Sequence, residues 1–120
     1  MNKKDPKLTA LLFNECINNQ DINGLANLMT EDHTFEDKKG KEAMKKAWTD
    51  FFNMFPDYRN HFTYIESREN LVIIVGFSTC SYKPLNKHAL WTAKIENDLV
   101  SEWSIYDDTE ENRNILKMKM

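Results

Sequence analysis

Apolar residues recur at helical spacing through the first half of the chain and at alternating spacing through the second. Leu8, Leu11, Leu12, Phe13 and Cys16 repeat every three or four positions, behind an Asp5-Pro6 pair suited to an N-cap and a first helical position. Asp21 reads as a second cap, and Ile22, Leu25, Leu28 and Met29 form the stripe of a short second helix. A short strand follows, Glu31-Asp32-His33-Thr34-Phe35-Glu36-Asp37, in which His33, Phe35 and Asp37 share one face. Lys38-Lys39-Gly40 reads as a turn. The third helix carries the densest stripe: Ala43, Met44, Ala47, Trp48, Phe51, Phe52 and Phe55, stopped by Pro56.

After Pro56 the period changes to two. Strands are predicted over 58–67, 71–82, 88–96 and 99–107. The second of these is β-branched and apolar, as a central strand should be, and Gly76 inside it predicts a bend or bulge. Lys83-Pro84-Leu85-Asn86 is a connection and Asn97-Asp98 a tight turn. The tail over 109–120 reads as a short helix or a frayed end. The predicted order is α-α-β-α-β-β-β-β, an α+β class. A curved antiparallel sheet wrapped round the N-terminal helices would leave a conical pocket suited to a small apolar ligand. One domain over 1–120 is expected, with its core at about 8–108.

Composition narrows the function classes. The chain has 120 residues, 41% of them hydrophobic, enough to bury one core. Its net charge of −3, with lysines that form no single patch, argues against a nucleic-acid module. No window has the apolar length of a membrane span. The N-terminus reads as a helix and not a signal peptide, so a cytoplasmic location is expected. Cys16 and Cys80 fall in no metal or disulfide pattern and are expected as reduced, buried thiols. No metal or cofactor is expected.

The order of elements resembles the nuclear-transport-factor-2-like, or cystatin-like α+β cone, superfamily. The residues that carry this are INNQDINGLANLM, EDHTFED, the helix ending in FFNMFPDY, and the closing pair WTAKIENDLVSEWSIYDD. Within the superfamily the chain is most similar to the SnoaL-like and ketosteroid-isomerase-like groups. The isomerase resemblance implies a general base at Asp37, with Phe13 and Trp91 standing where the isomerases place oxyanion donors. The polyketide-cyclase resemblance implies an acid beside Trp103 on the last strand, where this chain has Ser104, Ile105 and, further on, Asp107. The superfamily also implies a homodimer through the outer face of the sheet. Here Val72, Ile74, Thr79 or their alternates would supply that face.

Asp37, His33 and Asp107 are therefore the candidate catalytic residues. As a base, Asp37 would take a proton from a carbon acid beside a carbonyl, its pKa raised by an apolar pocket. Alternatively it caps the turn or pairs with a lysine there. His33 would relay a proton or bind a substrate oxygen, or else bond to backbone. Asp107 would face Asp37 across the pocket mouth, or belong to a solvated acidic end. The candidate ligand-binding residues are Phe13, Phe35, Trp48, His61, Trp91, Trp103 and Ile105. Their rings would line an apolar body, and indole N–H groups would donate to a ligand carbonyl. For the tryptophans the alternative is core packing; His61 faces in or out according to a one-residue register. The expected partner is a small apolar molecule with a polar handle. Three functions stay open: proton transfer of isomerase, cyclase or lyase type, ligand binding without turnover, and homodimeric association.

Overall fold

The computed structural model describes residues 5–35 and 37–116. Glu36 and the Lys117-Met118-Lys119-Met120 tail, both included in the predictions above, lie outside the described residues. Helix α1 (Pro6–Asn19) begins where Asp5 accepts from the Lys7 N–H at 3.0 Å, with Pro6 in its first turn. It ends where Gln20 turns left-handed and Asp21 N–H reaches back to the Cys16 carbonyl. Asp21 then caps α2 (Ile22–Asn27) by accepting from Gly24 N–H at 2.9 Å. Strand β1 (Met29–Phe35) turns into a two-residue strand, β2 (Lys38–Lys39), where a turn is predicted. Helix α3 (Lys41–Met54) starts at Gly40, whose φ of 102° favours glycine, and buries Met44, Trp48 and Phe52.

Four hairpin-linked strands follow: β3 (Arg59–Arg68), β4 (Leu71–Thr79), β5 (Lys87–Glu96) and β6 (Leu99–Asp107). A 3₁₀ turn (Lys83–Leu85) links β4 to β5, and Asn97 and Asp98, both at positive φ, turn β5 into β6. A short helix, α4 (Glu110–Ile115), is capped by Thr109. The sheet order is β2-β1-β6-β5-β4-β3. The sheet is open and mixed, where a wholly antiparallel one is predicted: β1 runs parallel to β6. The reason is connectivity. Hairpins force β3 to β6 to alternate, whereas β1 and β6 are joined through most of the domain and no short loop dictates their direction.

The ladder breaks its register in three places, and each break is closed by a side chain. Between β3 and β4, Phe62 pairs with Gly76 and Tyr64 with Val75, leaving Thr63 over. The Thr63 hydroxyl donates to the Val75 carbonyl at 3.2 Å. Between β5 and β6, Ser101 is left over, and its hydroxyl donates to the Lys94 carbonyl at 3.3 Å. Between β1 and β6, Met29 pairs with Val100 but Thr34 with Glu102, so five steps on one strand oppose two on the other. There the His33 Nδ1–H donates to the Val100 carbonyl at 2.7 Å. Buried backbone groups must find partners, and these three side chains meet that need. Gly76 has its predicted bulge opposite it. A Cβ there would drive into the His61 carbonyl oxygen, so the close approach of β3 requires glycine.

The helices cover the inner face of this bent sheet. Phe13 and Ile17 of α1, Met44 of α3, Val72 and Ile74 of β4 and Trp91 and Ala93 of β5 meet in one core. Val72 and Ile74 thus face inward, and their alternates Ile73 and Val75, with Phe77 and Thr79, take the outer face. That face is partly filled within one chain: Ile73 and Leu90 are fully buried, and Arg68 donates to the Leu116 carbonyl beyond α4 at 2.7 Å.

Candidate functional site

The stripe of α3 is wider than the sheet beneath it can fill. Beside the buried Met44, Trp48 and Phe52 run the half-buried Ala47, Phe51 and Phe55. Under the C-terminal half of this helix lies a cavity of about 520 Å³. Its aromatic wall comes from Trp48, Phe51 and Phe55 on one side and Trp91 and Trp103 of the sheet on the other. Phe35 and Ile105 close it laterally. Phe35 stacks on Trp48 at 6.0 Å, and Phe51 meets Tyr58 edge to face at 4.9 Å. The rim carries three charged, exposed residues, Lys38, Asp50 and Lys87. Each has an exposed partner outside the cavity: Lys38 has Asp37 at 3.8 Å, Lys87 has Asp107 at 3.2 Å, and Asp50 has Lys46 at 3.2 Å.

Apart from the indole groups, the polar lining residues inside form one patch, Tyr58, Asn60 and Ser78, all buried. Asn60 and Ser78 are cross-strand partners in β3 and β4. The Ser78 hydroxyl donates to the Leu85 carbonyl, which fixes the 3₁₀ turn at the cavity's edge. Burial pushes the Tyr58 phenol up to about 12, against the opposing effect of the Ser78 hydroxyl. Tyr58 therefore stays a neutral O–H at every ordinary pH. Just outside, Asp57 accepts from the Cys80 thiol at 3.2 Å and from the Ser81 N–H at 2.9 Å. The thiol contact leads the effects that hold its carboxyl below the usual range.

The predicted residues divide into three groups. Phe35, Trp48, Trp91, Trp103 and Ile105 line the cavity together. Phe13 and His33 are fully buried beside it, not in it. Phe13 packs between His33 at 5.8 Å and Trp103 at 4.7 Å. Burial lowers the His33 pKa, so the ring is neutral and is used as a backbone partner. Asp37, Asp107 and His61 point away. Asp37 stands at the tip of the β1–β2 turn, its side chain 90% exposed, because β2 folds back one residue later. Asp107 ends β6 in solvent, beside Lys87. His61 is on the outer face, stacked on Phe77 at 4.8 Å, with Nε2 3.0 Å from the Thr79 hydroxyl. Phe62 takes the inward position opposite Gly76, which turns its neighbour out.

Tyr58, Asn60 and Ser78 were not among the sequence candidates. The alternation Tyr58, Asn60, Phe62 carries the signal for the first two, two aromatics bracketing an amide on one strand face. Among the described residues, no group of three His, Cys, Asp or Glu side chains is placed to hold a metal ion. Asp50 is the one carboxylate among the described lining residues. The chemistry on offer inside is therefore apolar contact plus neutral hydrogen bonding.

The family model of the SnoaL-like domain matches residues 10–109. The chain belongs to the SnoaL-like domain family. The match runs from α1 to the end of β6, so it spans every element around the cavity. No curated protein matches the sequence. Solved structures share the SnoaL-like fold at low identity. A cystatin-fold protein from Novosphingobium aromaticivorans is 17% identical, with a TM-score of 0.77 over 87% of this chain and 99% of that one. A Shewanella putrefaciens protein assigned as a SnoaL-like polyketide cyclase is 14% identical, with a TM-score of 0.75 over 98% of this chain and 88% of that one. A computationally designed 17-OHP binder is 15% identical, with a TM-score of 0.74 over 90% of this chain and 95% of that one. At these identities the likeness is one of fold.

Proposed function

We propose that this SnoaL-like domain binds a small, mostly apolar molecule with a polar handle, in the cavity under α3. The supporting observation is that cavity: about 520 Å³, walled by tryptophan and phenylalanine, with its few polar groups gathered at Tyr58, Asn60 and Ser78. Volume and lining match those of small-molecule sites. That a designed 17-OHP binder uses the same fold supports the capacity of such a cone for a ligand of this kind. Both cysteines are free, in keeping with a cytoplasmic protein. The outer sheet face, where Phe77 stacks on His61 and meets His88 edge to face, is where a homodimer would form. Light scattering reads that directly.

Proton transfer on a carbonyl compound, with Asp37 as base and His33 or Asp107 assisting, has less support. Both carboxylates are solvated outside the cavity, and His33 lies sealed beside it. Titration with small neutral polycyclic ketones and alcohols tests the binding reading. Trp48, Trp91 and Trp103 should report entry by a saturable change in fluorescence. An Asp37→Asn variant should bind with unchanged affinity. Flat fluorescence with every probe would overturn ligand binding. Turnover of a bound ketone that stops in the Asp37→Asn variant would replace it with the enzyme.

A further inference from the structure

The outer face of α1 is apolar where a solvated helix face would be polar. The inner face buries Thr9, Ala10, Phe13, Asn14 and Ile17. The outer face carries Leu8, Leu11 and Leu12, with 48%, 42% and 36% of their surface exposed. The other exposed large apolar side chains among the described residues, Met54, Tyr82 and Ile115, are far apart in sequence. Apolar residues scattered singly on a surface are ordinary. Three at neighbouring positions of one helix form a patch, and such patches mark interaction sites.

Lys7 and Glu15 flank this patch symmetrically, the one four positions before Leu11 and the other four after it. A spacing of four keeps the three side chains on one side of the helix. Both charges oppose the helix dipole. Lys7 is in the first turn, where an anion is favoured, and Glu15 lies towards the end, where a cation is. Within the chain Lys7 has Asp5 at 3.9 Å, an exposed and weak pair.

We infer that this face of α1 docks a second copy of the chain, with the two α1 helices antiparallel about a two-fold axis at Leu11. Charge complementarity carries the choice of occupant. In that arrangement Lys7 of each copy meets Glu15 of the other, Leu11 meets Leu11, and Leu8 lies against Leu12 of the other copy. Each charge also comes beside the end of the other helix that favours it. A parallel pair would set lysine against lysine and glutamate against glutamate. One helix face is a small interface, so the association is weak and concentration-dependent. α1 packs on the inner side of the sheet, so this surface is separate from the outer sheet face. It is also independent of the cavity reading.

The test is sedimentation equilibrium of the full chain over a concentration series into the millimolar range. The native chain should associate, and Leu11→Asp should halve the mass at the highest concentration, because it sets two like charges together on the axis. Leu11 is exposed, so the fold should tolerate the change, and circular dichroism verifies it. Lys7→Glu and Glu15→Lys should each weaken association about tenfold or more, by turning two attractions into two repulsions. The double variant should return to within about threefold of the native affinity. Both substitutions suit the α1 dipole, so neither threatens the fold. A native chain that stays monomeric overturns the proposal. So does an assembly whose mass Leu11→Asp leaves unchanged, the result that pairing through the sheet face alone would give. A double variant no better than the single ones overturns the antiparallel pairing.

Discussion

Under α1, Phe13 closes on His33 and Trp103 with ring centres 5.8 and 4.7 Å apart, and all three side chains are buried. Under the C-terminal half of α3, Trp48, Phe51 and Phe55 stand at similar ring distances, 5.8 and 5.1 Å, yet border an open cavity. Trp103 belongs to both regions and is the wall between them. The same aromatic chemistry therefore yields a packed core in one half and a hollow in the other. What differs is the surface opposite. α1 packs against β3, β4, β5 and β6, whereas α3 packs against β1 and β2 and meets the other strands across the cavity. Hydrophobic residues fill space only where the backbone brings another surface within contact distance.

The contrast is sharpest in stability. Phe13→Ala should cost about 3–5 kcal/mol in chemical denaturation, the range for emptying a filled aromatic site. Phe51→Ala, at the edge of a space already open, should cost roughly 1–2 kcal/mol. Equal losses would show that the cavity half is as tightly packed as the core half. Gly76→Ala attacks the close approach of β3 to β4 at the bulge, by forcing a Cβ against the His61 carbonyl. A loss of about 1–3 kcal/mol is expected, together with loss of probe binding. A neutral effect would mean that β3 can retreat without disturbing the hollow.

A pH series probes the packed half. The His33 pKa is lowered in the fold by burial, so above about 6.5, the ordinary value, both folded and unfolded chains hold it neutral. Below that, the unfolded chain takes up a proton that the fold refuses, and stability falls as pH falls. His33→Asn keeps a donor for the Val100 carbonyl but cannot titrate. Its stability should decline less between pH 7 and pH 5 than that of the native protein. Parallel profiles would show that His33 is protonated in the fold. The smallest effect belongs to Asp37→Asn, a change within about 0.5 kcal/mol, as for other exposed surface positions. A larger one would place the Asp37 carboxylate in contacts that its exposure excludes.

Local pattern made the helices and hairpins readable. Asp5, Asp21 and Pro56 mark helix ends by chemistry confined to neighbouring residues, and the Asn97-Asp98 turn does the same for a hairpin. The parallel pairing of β1 with β6 has no local signature, because the partners lie some seventy positions apart in sequence, Met29 opposite Val100. The site was legible in part for the same reason. Trp48 lies on an unmistakable helical stripe, and Trp91 and Trp103 on alternating strands. The face of His61 depended on one unpaired residue at Thr63, and the side on which Asp37 falls depended on β2 pairing back at once. The partners of His33 and Asn60 come from distant elements, β6 and α1. Their roles become visible only when those elements meet.

The bulge at Thr63 has a consequence for how such a protein changes over time. The faces that β3 presents are set by a count of residues: the extra position at Thr63 puts His61 outside and Ile65 inside, although an even spacing separates them. Loss of one codon there would restore a continuous ladder opposite Gly76, while every tryptophan around the cavity stayed in the sequence. A lineage could thus re-pair the strand that carries Tyr58 and Asn60 without substituting a single wall residue.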